Sequence, residues 1–174
     1  MTRPTLHQIV DMLDSQAQIN NERLPGWAHM KVNFGRALRN ECAELSAALG
    51  WTLGADVEPD YATARAVAVS IWRHTLSLSL KGMLGDREDA AKQIDENLRH
   101  YPRMEVMSVL GKNFTLSGLT LHEAVDMLSV FGALGYAFPA LYENVMLGVG
   151  LTWVDVYGDV AGEITEVQPC VPTE

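Results

Sequence analysis

The sequence predicts an all-α fold, a single-domain bundle of about six helices. Apolar residues recur at helical spacing along most of the 174-residue chain. Hydrophobic residues make up 48% of the sequence, which is enough to form the core of one domain. The longest apolar runs are much shorter than a bilayer-spanning helix, so we expect no membrane segment.

The individual helices follow from apolar periodicity and from capping signals. Thr5 is a suitable N-cap for the first helix, and Gly50 is a suitable stop for the second. Thr120 and Glu123 have the capping-box spacing at the start of the fifth. The third helix is apolar nearly all round its middle, which is typical of a central helix. The expected spans are about Leu6–Asn20, Lys31–Leu49, Tyr61–Met83, Arg87–His100, Leu121–Leu134 and Pro139–Tyr157.

Two segments do not show helical periodicity. Residues 105–117 contain two short apolar runs around Gly111 and Lys112, so they form either a small β-hairpin or a loop that crosses the bundle. Residues 161–174 contain two prolines and show no period, which predicts a flexible C-terminal tail. The helical domain therefore covers residues 1–160.

Charge and cysteine content narrow the classes of function. The formal net charge is −9, whereas a general nucleic-acid binder is more often basic. An anionic ligand would therefore need a metal ion. Cys42 falls inside a predicted helix and Cys170 in the tail, so they form neither a disulfide framework nor a zinc site. This usage indicates a reducing compartment such as the cytoplasm.

An acidic pair in the second helix is the sharpest chemical feature. Glu41 and Glu44 are three residues apart, so their carboxylates lie on one helix face. Such a pair can hold Mg²⁺, which takes carboxylate oxygens and keeps other positions for phosphate and water. The alternative is an ordinary solvated acidic face.

The surroundings of this pair show a wider similarity. Gly-Trp follows the pair closely at Gly50 and Trp51. Read in order, the chain resembles the all-α dimeric dUTPase family, part of the all-α nucleoside triphosphate pyrophosphohydrolase group. The resemblance covers roughly residues 6–82. It is carried by residues 12–20, Gly26-Trp27, residues 33–45, Gly50-Trp51 and residues 70–77.

The resemblance implies roles for five of these residues. Glu41 and Glu44 would be catalytic and would bind Mg²⁺ as the first metal-binding pair. Gln16 and Asn20 would lie at the nucleoside, where amides can offer both donors and acceptors. Trp51 would form an aromatic wall for the base. Without the resemblance, helix-end capping or solvent exposure would account for the polar residues, and core packing would account for Trp51.

The chain also departs from the family. The second acidic pair is replaced by Val67 and Ser70, which should weaken the metal site. Arg73 stands at the position usually occupied by a base-pocket histidine, and His74 follows it. Arg73 could read a different base edge or bind phosphate directly, or its stem could simply pack. The basic phosphate-binding stretch of the family is missing from residues 147–155.

A second acidic pair occurs at Glu123 and Asp126, near the start of the fifth helix. These residues could complete a rebuilt metal site with Glu41 and Glu44. The alternative is a favourable interaction of the acids with the helix dipole.

Three functions remain open from the sequence. The first is a Mg²⁺-dependent nucleoside triphosphate diphosphohydrolase with altered base specificity. The second is a catalytically inactive protein of the same fold, acting as a nucleotide-binding or protein-binding regulatory module. The third is a structural helical protein. The resemblance further implies a homodimer.

Overall fold

The fold is built from seven α-helices within the part of the chain that the structure describes. The structure is a computed structural model, and it describes residues 2–51, 57–100, 105–107, 113–115, 119–131 and 138–162. The helices are α1 (Leu6–Arg23), α2 (Phe34–Ala48), α3 (Tyr61–Gly82), α4 (Arg87–His100), α5 (Leu121–Phe131), α6 (Phe138–Gly148) and α7 (Trp153–Ala161). A short 3₁₀ helix, Trp27–His29, lies between α1 and α2.

The predicted all-α bundle is confirmed, and α3 is its central helix. It packs against α1, α2, α4, α6 and α7. Trp72 of α3 stacks on Tyr142 at 4.8 Å between ring centroids and meets the edge of Trp153 at 5.0 Å. All three side chains are buried, so they form the aromatic centre of the core. None of the described helices is both long and apolar enough to cross a membrane.

The predicted sixth helix, Pro139–Tyr157, is wrong in its extent because two helices occupy this stretch. Helix α6 ends at Gly148, and Gly150 adopts a left-handed φ of +74°, which a continuing helix does not allow. Thr152 then caps α7: its hydroxyl accepts from the Asp155 N–H at 3.3 Å, and the Asp155 carboxylate accepts from the Thr152 N–H at 2.7 Å. This capping box starts a new helix.

The less regular segments have mixed outcomes. Strands β1 (Glu105–Met107) and β2 (Asn113–Thr115) pair antiparallel with Val106 opposite Phe114, as the hairpin alternative predicts. The rest of the predicted segment, residues 108–112 and 116–117, lies outside the described residues. Residues 132–137, which include the predicted end of the fifth helix, lie outside the described residues. The same holds for residues 163–174 of the predicted tail.

The last helix packs on the first. Ser15 of α1 donates a hydrogen bond to the Val160 carbonyl of α7 at 2.7 Å. The Tyr157 hydroxyl donates to the Asp11 carboxylate at 3.0 Å. These contacts hold α7 beside the middle of α1, next to the candidate site.

Candidate functional site

A partly open cavity of about 900 Å³ lies between α1, α2, α3 and α7. One part of its wall is apolar and is formed by Ile19, Leu24, Val32, Ala66 and Val69. The rest carries amide, basic and acidic side chains. This combination of an apolar wall and a few converging polar groups is typical of a small-molecule site.

The structure brings together most of the residues that the sequence selected. Three helices supply them, so their meeting is a product of the fold and not of sequence proximity. The predicted residues in the cavity wall are Gln16, Asn20, Glu41, Arg73 and His74, together with Ser70 at one of the two positions where the family has an acid.

Three other selected positions do not line this cavity. Glu44 is exposed on α2, and Val67 is buried in the core. The half-buried Trp51 packs against His122, with 4.7 Å between ring centroids. The proposed role of Trp51 as a base wall stays a prediction.

A chain of hydrogen bonds fixes the orientation of the two amides. Ser77 donates its only hydroxyl proton to the Arg73 carbonyl at 3.0 Å. Its oxygen must therefore accept from the Asn20 side-chain NH₂, which lies 2.9 Å away. The Asn20 carbonyl then faces Gln16 and accepts from the Gln16 NH₂ at 3.0 Å. We call Gln16, Asn20 and Ser77 the amide relay.

Within the amide relay, the side-chain oxygen of Gln16 is a hydrogen-bond acceptor without a donor in the described structure. Gln16 is 5% exposed, and within the described part of the chain its side-chain carbonyl oxygen is buried without a partner. An unsatisfied buried acceptor costs about 1–3 kcal/mol. A group that supplies a donor from the cavity would remove that cost.

Glu41 and His74 form a pair across α2 and α3. The His74 Nε2 lies 3.4 Å from a Glu41 carboxylate oxygen. Burial lowers the pKa of His74 below its usual value and outweighs the opposite effect of Glu41, while Arg23 lowers it further. His74 is therefore neutral at pH 7, and it faces Glu41 as a hydrogen-bond donor rather than as a cation.

Basic and acidic groups are balanced in the cavity. Arg73 reaches from α3 to α7, where it donates to the Asp159 carbonyl at 3.0 Å. Arg23 and Asp159 also line the wall, although the sequence analysis gave them no role. Their positions late in α1 and late in α7 carried no motif. Arg23 follows Gln16 and Asn20 along α1, whereas Asp159 reaches the cavity only because α7 packs on α1.

The aromatic side chains of the cavity are Trp27 and Phe34. Their rings meet edge to face at 5.6 Å, and Phe34 lies 6.4 Å from the His74 ring. The Lys81 ammonium donates to the carbonyls of Met30 and Val32 at 2.8 and 2.7 Å, which fixes the segment between these two aromatics. Both Gly26-Trp27 and the segment 33–45, which contains Phe34, belong to the family resemblance, but the sequence analysis gave neither aromatic ring a role.

The alternative metal site is not assembled. Glu123 serves as the cap partner of Thr120, whose N–H donates to it at 2.9 Å. Asp126 is exposed and lies 3.3 Å from His122. Within the described ranges, no three Asp, Glu, His or Cys side chains converge as a metal site would require.

Cys42 lies between the two glutamates but is not a reactive thiol. It is buried, and burial raises its pKa to about 12, with further contributions from Glu41 and Asp126. A thiol with that pKa remains protonated at neutral pH, so Cys42 lacks the thiolate form that a nucleophile needs.

Comparison with known proteins adds no family assignment. No protein-family model matches the chain, and no curated protein matches it. The similarity to the all-α dimeric dUTPase family is therefore still a prediction from the quoted residues.

Proposed function

We propose that the protein binds a nucleoside or nucleotide in this cavity. The observation that carries the proposal is the buried carbonyl of Gln16, which has no partner in the described structure. The amide relay holds this oxygen as an acceptor. The complementary ligand therefore presents a hydrogen-bond donor.

A planar heterocycle with a ring N–H fits this requirement. The half-buried Phe34 offers apolar ring surface for such a group, while the buried Trp27 packs against its ring. Pyrimidine bases with a ring N–H next to carbonyl groups belong to this class. Gln16 lines the cavity but its carbonyl oxygen is buried, so a ligand in the cavity reaches that oxygen only when the amide turns toward it. The relay would then select for ligands by their donor, because a site built for a hydrogen bond rejects analogues that lack it.

The resemblance to the dUTPase family supports the same conclusion independently. Gln16 and Asn20 occupy the positions that the resemblance assigned to the nucleoside, and both line the cavity. Arg73 replaces the usual histidine there, which favours altered base specificity.

The second candidate function is hydrolysis of a nucleoside triphosphate with Mg²⁺. Glu41 in the cavity favours it, but the rest of the implied metal set does not fit. Glu44 is exposed and outside the cavity wall, and Val67 and Ser70 stand in place of two carboxylates. We therefore favour the catalytically inactive nucleotide-binding module.

Calorimetry with a panel of nucleosides and nucleotides tests the proposal. We expect saturable binding of at least one compound with a ring N–H. The same compound methylated at that nitrogen should bind more weakly than the parent compound by about tenfold or more. Gln16→Met should remove this discrimination, whereas Gln18→Met, a change at an exposed position of the same helix, should leave it intact.

Two results would contradict the proposal. One is the absence of binding across the panel. The other is equal affinity for the methylated and unmethylated compounds. Release of pyrophosphate from a triphosphate, abolished by Glu41→Gln, would instead establish the second candidate function.

A homodimer and a cytoplasmic location remain part of the proposal. Both come from the sequence, the first through the family resemblance and the second through the cysteine usage. The buried, unpaired Cys42 is compatible with a reducing compartment.

A further inference from the structure

The cavity differs in one respect from a site that holds a ligand through a metal. The resemblance assigned four positions to carboxylate ligands. Of these, the cavity wall contains one that is a carboxylate in this chain, Glu41. At a second of these positions the wall contains Ser70, whose hydroxyl is a weaker ligand than a carboxylate.

Glu41 is also engaged already. One of its carboxylate oxygens lies 3.4 Å from the His74 Nε2, so this oxygen already has a polar neighbour from the protein. Mg²⁺ demands near-octahedral coordination by six oxygens and gives up its water reluctantly. A single carboxylate beside an imidazole N–H is a poor start for such a shell.

The charges in the cavity wall point the same way. Arg23 and Arg73 carry two positive charges, and Glu41 and Asp159 carry two negative charges. This balance neither attracts a divalent cation nor offsets the several negative charges of a triphosphate. A guanidinium group can bind one phosphate directly, as a fork of donors.

We infer that the cavity binds its ligand without a divalent cation and that the ligand is a nucleoside or a nucleoside monophosphate. This inference rests on the proposed function. It adds that Glu41 and His74 together replace the half of a metal site that the sequence suggested.

The direct test is calorimetry on the full chain in two buffers, one with EDTA and one with excess Mg²⁺. The ligands are uridine, deoxyuridine, thymidine and cytidine with their 5′-mono- and triphosphates. We expect the best nucleoside or monophosphate to bind with the same Kd in both buffers, within about twofold. In EDTA the matching triphosphate should bind about tenfold more weakly than that nucleoside or monophosphate.

The outcomes separate the inference from the proposed function. Binding that strengthens about tenfold or more on addition of Mg²⁺ would overturn the inference and leave the proposed function standing. Tighter binding of the triphosphate than of the monophosphate in EDTA would do the same. No binding in either buffer would overturn both.

A second measurement uses the metal alone. Electron paramagnetic resonance counts Mn²⁺ bound to the protein without nucleotide. We expect no saturable Mn²⁺ site that depends on Glu41, so wild type, Glu41→Gln and the control Glu96→Gln, a change at an exposed acid on α4, should give the same titration. A site that disappears in Glu41→Gln and persists in Glu96→Gln would refute metal-free binding.

Discussion

Removing the hydroxyl of Ser77 tests the amide relay without touching the cavity wall. Ser77 is 1% exposed and accepts from the Asn20 NH₂ at 2.9 Å. In Ser77→Ala that NH₂ stays buried, because Asn20 is only 9% exposed, and it loses its partner. A buried donor without a partner costs about 1–3 kcal/mol. For a chain of this size, each kcal/mol lowers the Tm by about 2–4 °C.

The matched control is Ser79→Ala, two residues further along α3 at a half-buried position. Both changes replace serine with alanine in the same helix, so the gain in helix propensity is the same and cancels in the comparison. The difference in unfolding free energy between the two variants, measured by urea denaturation, isolates the loss of the relay. We expect Ser77→Ala to be the less stable variant by about 1–3 kcal/mol.

A double-mutant cycle with Asn20→Leu completes this test. Ser77→Ala combined with Asn20→Leu removes both partners, so the double variant should lose less stability than the sum of the two single variants. We expect a coupling of about 0.5–3 kcal/mol between the two positions. Costs that add to within about 0.5 kcal/mol would show that Asn20 and Ser77 act independently, and the assigned polarity of the Gln16 amide would then be unsupported.

Four further outcomes follow from other contacts. The pKa of His74 is lowered in the folded state, so the unfolded chain binds more protons than the folded chain below about pH 6.5. The unfolding free energy should therefore fall as the pH drops through that range, and it should fall less steeply in His74→Gln. Gly148→Ala should lower the unfolding free energy by about 1–3 kcal/mol in urea denaturation, since an added Cβ would meet Leu121 at 2.7 Å. Gly158→Ala adds a Cβ in open space and should raise the unfolding free energy by about 0.5–1 kcal/mol. Equal effects of the two changes would contradict this packing. Lys81→Met removes the donor to two backbone carbonyls before α2 and should raise the rate of limited proteolysis there, while an unchanged rate would show that the ammonium does not hold this segment. Sedimentation should give a homodimer, and a monomer at micromolar concentration would count against the family resemblance.

The helices were largely predictable because each buries a periodic apolar face, which is visible in the sequence. The division of the last helical stretch was missed, although Gly150 and the Thr152–Asp155 capping box were readable signals. The apolar periodicity of Val145, Val149 and Val156 continues across the break, so hydrophobicity alone favours one long helix.

The sequence predicted those site residues that lie within short segments resembling a known family. Gln16, Asn20 and Glu41 belong to segments that resemble a family, and all three line the cavity. Asp159 could not be selected in this way, because its position depends on how α7 packs. Ser77 received no role from the sequence, since its place at the end of a hydrogen-bond chain depends on a contact with Asn20 from 57 residues away.

The packing of α7 on α1 also has a consequence for how the protein is made. Ser15 with Val160 and Tyr157 with Asp11 join residues that are 145 and 146 positions apart. During synthesis, α1 leaves the ribosome long before these partners exist, so the bundle closes only when α7 has emerged. The cavity has walls from both helices and is therefore absent from the nascent chain. A ligand of this cavity can stabilise the completed protein alone and cannot assist its earlier folding.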